Sequence, residues 1–88
     1  MIYSRSNKSI GAELDGEICI FDAISGEYLN LNSTASFIWK LLETEKTEDY
    51  IINKVSESFD FDKDLLVEHV KQFLVEAVSF GILKSSNA

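Results

Sequence analysis

Residues 26 to 42, Gly-Glu-Tyr-Leu-Asn-Leu-Asn-Ser-Thr-Ala-Ser-Phe-Ile-Trp-Lys-Leu-Leu, decide the fold, because the hydrophobic period changes inside them. From Glu27 to Leu31 the pattern alternates, with Leu29 and Leu31 on one side and Tyr28 and Asn30 on the other, as in a strand buried on one face. Asn32 and Ser33 then carry side-chain oxygens suited to the unpaired N–H groups of a first helical turn. From Thr34 to about Glu43 the period is helical, since Ala35, Ile38, Leu41 and Leu42 recur on one side with Trp39 beside them. A strand therefore runs directly into a capped amphipathic helix.

Upstream, Ile10 to Leu14 and Glu17 to Asp22 flank Asp15-Gly16, a pair that favours a type I′ hairpin because both central residues take positive φ. Ile18-Cys19-Ile20-Phe21 is apolar on both faces, which predicts a central strand covered on both sides. Asp22 to Gly26 is a second turn, so Glu27 to Leu31 becomes the third strand and lies at an edge with main-chain groups unpaired. Met1 to Ser9 is polar apart from Ile2 and Tyr3 and reads as a loose arm or an added strand.

Downstream, Thr47 caps a second helix with Glu48 and Asp49 in its first turn, where the helix dipole favours acids. Its apolar side is Ile51, Ile52 and Val55. Asp62 caps a third helix from about Lys63 to Phe80 with two stripes, Leu66, Val70, Phe73 and Ala77 in one and Val67, Leu74 and Val78 in the other. Gly81 ends it, Ile82-Leu83 fold back as the cap contact, and residues after Lys84 are expected to be flexible. The chain thus reads as one α+β domain over residues 1 to 88, a winged helix-turn-helix-like arrangement of a three-stranded antiparallel sheet followed by three helices.

Eighty-eight residues at 45% hydrophobic content suit one small core. Cys19 is the only cysteine, so no internal disulfide is available and a reducing, cytoplasmic setting is expected. No apolar run approaches the roughly 20 residues of a membrane span, and the first residues lack a signal-peptide core. A formal charge of −7 with scattered basic residues disfavours nucleic acid and excludes a basic membrane-binding stripe.

Catalysis needs convergent groups, and one cysteine, one histidine and dispersed acids do not supply them. Cys19 lies among apolar strand neighbours and reads as an inert core thiol; His69 reads as a solvated helix residue. Asp60, Asp62 and Asp64 imitate the start of a calcium loop, but Leu65 and Lys71 stand where that loop needs glycine and glutamate. The acids are helix caps. Phe37, Trp39, Phe59, Phe61, Phe73 and Phe80, at helical spacing, read as core. No metal or cofactor is expected. A winged-helix DNA-binding regulator is the alternative from another class, and the acids of the second and third helices count against it.

Taken together, Asp15-Gly16-Glu17, the apolar strand ending at Asp22, Gly26-Glu27-Tyr28, Leu31-Asn32, Ile38-Trp39, Thr47, Phe59-Asp60 and Gly81-Ile82-Leu83 resemble the PqqD-like family of precursor-peptide recognition elements. The likeness covers residues 13 to about 84. It implies a module without chemistry of its own that binds the leader segment of a ribosomally made precursor and presents it to a modifying enzyme. Within that family a chain of this size is most similar to the leader-binding subunit of lasso peptide systems, which works with a cysteine-type leader peptidase. A PqqD-type chaperone serving a radical enzyme of quinone cofactor synthesis is the related alternative.

The open edge fits this role, because an extended leader can add there as a fourth strand. On that reading the leader-binding residues are Glu27, Tyr28, Leu29, Asn30 and Leu31 on the strand, with Val67, Val70, Lys71, Leu74 and Val78 on the third helix. Leu74→Asp is expected to weaken binding with the fold intact. The same free edge also admits pairing between two copies.

Overall fold

The computed structural model describes residues 1–7, 9–22, 25–60 and 62–87. In chain order the elements are β1 (Ile2–Arg5), β2 (Ser9–Leu14), β3 (Glu17–Asp22), β4 (Tyr28–Asn30), α1 (Ser33–Leu41), β5 (Lys46–Thr47), α2 (Glu48–Ser58), α3 (Lys63–Phe80) and β6 (Leu83–Ser86). The expected meander is present as a sheet of order β2-β3-β4. Its hairpin turns at Asp15 (φ 54°) and Gly16 (φ 84°), both left-handed as a type I′ turn demands. Ala23 and Ile24 of the second turn, and Phe61, lie outside the described residues.

The helix signals locate the observed ends. Asn32, Thr47 and Asp62 each accept a hydrogen bond from a first-turn N–H of α1, α2 and α3. Gly81 closes α3 at φ 84°, the left-handed region where a Cβ is strained. Beyond it Ile82 and Leu83 are buried, as the cap contact requires.

At the N-terminal end the added strand is found, and the tail after Lys84 differs from the flexible one expected. β1 pairs on one side with β5 and on the other with β6, forming a second three-stranded sheet. The arm at Met1 to Ser9 is thus a paired strand over Ile2–Arg5, and Ser85 and Ser86 pair with Tyr3 and Ile2. Tyr3 is buried in the core, and Arg5 donates from Nε (3.0 Å) and Nη2 (2.7 Å) to the Trp39 carbonyl near the C-terminus of α1. Its guanidinium also lies 4.5 Å from the Trp39 ring centroid. A cation there meets a last-turn carbonyl, which also accepts from the Leu42 N–H at 3.1 Å, and the negative end of the helix dipole. The sequence signal for this contact was weak, since one tyrosine and one arginine in a polar run carry no periodicity.

The core collects Ile18, Ile20 and Leu31 from the meander, Ile38, Trp39 and Leu42 around α1, Ile51 and Val55 from α2, and Leu66, Val70, Leu74 and Ala77 from α3. Among the described residues Ser36 is the one polar residue buried with them. Its hydroxyl accepts from the Ile18 N–H at 2.8 Å and donates to the Leu31 carbonyl at 3.1 Å. The Leu31 N–H bonds directly to the Ile18 carbonyl at 2.8 Å. The serine of α1 is therefore inserted into the last rung of the β3–β4 ladder, satisfying two buried groups that would otherwise lack partners.

β3 is central, as expected, but covered on one face only. Ile18 and Ile20 point into the core, whereas Cys19 and Phe21 are half-buried. Register places Ile10, Phe21 and Tyr28 in a row on the opposite face; Ile10 and Tyr28 are exposed, and the Phe21 and Tyr28 rings meet at 5.0 Å. Cys19 is consequently half-buried and not a fully enclosed thiol.

Candidate functional site: the seam between the edge strand and the third helix

Among the described residues β4 has β3 on one side and no strand on the other. The Asp22 N–H donates to the Glu27 carbonyl and the Leu31 N–H to the Ile18 carbonyl, and Leu29 stands opposite Ile20 in the same register. Main-chain direction alternates along an antiparallel strand. Glu27, Leu29 and Leu31 therefore turn their amides toward β3, and Tyr28 and Asn30 turn theirs outward. These two residues hold the free donors and acceptors of the edge. The side chains of Leu29 and Leu31 point inward, while those of Tyr28 and Asn30 are exposed.

Beside this edge α3 stands away from the sheet and leaves a groove. One hollow of about 170 Å³ is lined by Leu29, Asn30 and Leu31 on the strand side and by Phe73, Glu76, Ala77 and Phe80 on the helix side. It merges with a larger hollow of about 380 Å³ where Ile38 of α1 faces Leu66, His69, Gln72 and Phe73 of α3. A small third hollow continues past Phe80 to Tyr28, Glu27 and Ser25. From Leu66 to Phe80 the helix rises about 21 Å at 1.5 Å per residue, matching roughly six residues of extended chain.

The expected strand residues lie along the hollows. Leu29, Asn30 and Leu31 line the groove, and Glu27 and Tyr28 border its far end. The expected helix residues lie elsewhere. Val70 and Leu74 are fully buried in the core, Val67 and Val78 are half-buried, and Lys71 is exposed; none of the five lines these hollows. Leu74→Asp would therefore strike the core before any ligand.

The reason is angular. At about 100° per residue, Leu66, Val70, Leu74 and Ala77 fall within one arc and point at the core. Val67 and Val78 flank it on one side. His69, Phe73, Glu76 and Phe80 flank it on the other, and that side meets the groove. Polar members hid this face from a reading based on apolar stripes. Phe73 and Phe80, seven residues apart beside Glu76, were the available signal, and Phe80 is 58% exposed where a core residue was expected. His69 is exposed, as expected, and lines the larger hollow.

Two kinds of similarity bear on this geometry. The family model described as coenzyme PQQ synthesis protein D (PqqD) matches residues 17–83. Among solved structures, TbiB1 in complex with the TbiA(beta) leader peptide superposes with a TM-score of 0.85 at 22% identity, covering 97% of this chain and 99% of that one. Lasso peptide synthetase B1 complexed with the leader peptide gives 0.79 at 18% identity, covering 94% and 98%. No curated protein matches the chain in sequence.

Proposed function

From the premise that the chain belongs to the PqqD family, we propose that it recognises the leader segment of a ribosomally synthesised precursor peptide and delivers it to a processing enzyme. The leader adds to the outer edge of β4 as a fourth strand. Main-chain hydrogen bonds to Tyr28 and Asn30 supply affinity, and alternate leader side chains enter the groove against α3 and supply specificity.

The observation that carries this reading is the coincidence of an unpaired strand edge with an apolar groove along the same strand. Open edges of this kind are ordinarily blocked by charge, proline or a covering element. Here Phe80 and Ala77 line the approach instead. Both solved relatives named above are complexes with leader peptides, which favours a lasso peptide precursor and a leader peptidase as the enzyme served. Membership of a family described by coenzyme PQQ synthesis favours the second reading, a precursor of quinone cofactor synthesis.

On this reading the chain contributes no bond-making chemistry. Its role is to raise the local concentration of a flexible substrate at the enzyme. No helix of the described residues is long and apolar enough to cross a membrane, and the single unpaired thiol favours action in the cytoplasm. Pairing of two copies through β4 would compete with leader for the same edge.

The test is fluorescence anisotropy with synthetic leaders encoded by small reading frames adjoining the gene. Saturable submicromolar binding of one leader, and none of its scrambled form, is expected. Asn30→Pro deletes an outward N–H without touching the β3 ladder, so it should abolish binding while the circular dichroism spectrum is unchanged. Full binding by Asn30→Pro would rule out strand addition.

A further inference from the structure

The groove carries apolar side chains at both ends, interleaved at the Leu66 end with Thr34, His69 and Gln72, and one carboxylate between them. Glu76 borders both main hollows, with Ala77 and Phe80 beyond it on one side and Leu66 and Ile38 on the other. Neither lining contains a lysine or arginine. Glu76 Oε1 accepts from Gln72 Nε2 at 3.2 Å one helical turn away, which steadies the carboxylate without neutralising it. Among the described residues the ion pairs are Lys40 with Glu13 and Lys54 with Glu57, and none of these residues gives Glu76 a cationic partner.

In the free protein water solvates that carboxylate. A strand laid over the groove removes the water, and a carboxylate covered by an apolar or acidic side chain loses hydration without compensation. A lysine or arginine in the same place restores a charge-assisted hydrogen bond and also covers Phe73 with its aliphatic stem. We infer that Glu76 is the specificity determinant of this groove and selects a leader with a basic residue at the central position facing α3, flanked two residues away on each side by apolar side chains.

The pattern is thus apolar-x-basic-x-apolar. Side chains on one face of a strand recur about every 6.8 Å, so three of them fit along the roughly 21 Å from Leu66 to Phe80. This inference rests on the leader-binding reading and adds to it the charge of the residue recognised. The net charge of −7 acts in the same sense at longer range by steering a basic segment inward.

The probe is a displayed library of random 12-residue peptides, selected in parallel on the wild-type chain, on Glu76→Lys and on Asn30→Pro. Wild-type binders should carry lysine or arginine between two apolar positions, and Glu76→Lys should recover aspartate or glutamate there. Asn30→Pro should recover neither set. For a resynthesised wild-type binder, Glu76→Gln should weaken affinity about tenfold at low salt and by less at 0.5 M salt, where screening shortens the reach of charge. Wild-type binders that need the Asn30 edge but show no charge preference, or an affinity indifferent to Glu76→Gln, would overturn the role of Glu76 and leave leader recognition standing. Absence of any Asn30-dependent binder would overturn leader recognition itself, and this inference with it.

Discussion

The two flanks of α3 treat similar residues in opposite ways. On the core side Val70 and Leu74 are sealed against the rest of the hydrophobic cluster. On the other side Phe73 and Phe80 border an open seam, and Phe80, a larger hydrophobe than either, is mostly exposed. Hydrophobicity alone does not distinguish the flanks. The difference lies in what stands opposite: a filled core on one side, and on the other a strand edge whose amides have no partner.

Leu74→Ala and Phe80→Ala separate the flanks by measurement. Leu74→Ala opens a cavity at a site with no exposure and should lower unfolding free energy by about 2 to 5 kcal/mol in chemical denaturation. Ser36→Ala should follow at about 1 to 3 kcal/mol, because it leaves the Ile18 N–H and the Leu31 carbonyl buried without partners. Phe80→Ala should reverse the pattern, with stability within about 0.5 kcal/mol of wild type and leader affinity reduced about tenfold. A large loss of stability in Phe80→Ala would mean that the seam belongs to the core and would erase the contrast. Lys71→Glu, on an exposed position away from the seam, should leave affinity within about twofold, which corresponds to roughly 0.4 kcal/mol.

The smallest effect concerns Tyr3, where the second sheet meets the core. Burial, with the Glu48 carboxylate adding to it, raises the Tyr3 phenol above its ordinary value. The unfolded chain then releases this proton first, near pH 10. The phenol's stabilising contribution is complete below about pH 10 and is lost as pH climbs through the folded-state value. Tyr3→Phe should flatten this alkaline decline in denaturation midpoints measured between about pH 9 and 11. An unchanged slope would assign the decline to other groups.

Local chemistry made much of the fold legible. Asp15-Gly16 specified its turn through positive φ, and Thr47, Asp62 and Gly81 marked helix ends because caps act over three or four residues. The edge position of β4 followed from the meander, since a third strand in sequence order becomes an edge. The second sheet did not, because Ile2 meets Ser86 across nearly the whole chain and no short-range pattern encodes that contact. The helix wall was missed for a different reason. The face along the groove mixes Phe73 and Phe80 with His69, Gln72 and Glu76, so it lacks the uniform apolar period by which buried faces are recognised.

The β1–β6 ladder makes the chain nearly a ring. Ile2 and Ser86 are cross-strand neighbours, and neither strand lines the two main hollows. A short linker joining these ends, with new ends opened at the exposed Asp15-Gly16 turn, would give a circular permutant that retains every groove residue. Such a molecule would order the groove elements before β1 and β2 and leave the groove unchanged, because it depends on which elements lie side by side and not on the order in which the chain visits them.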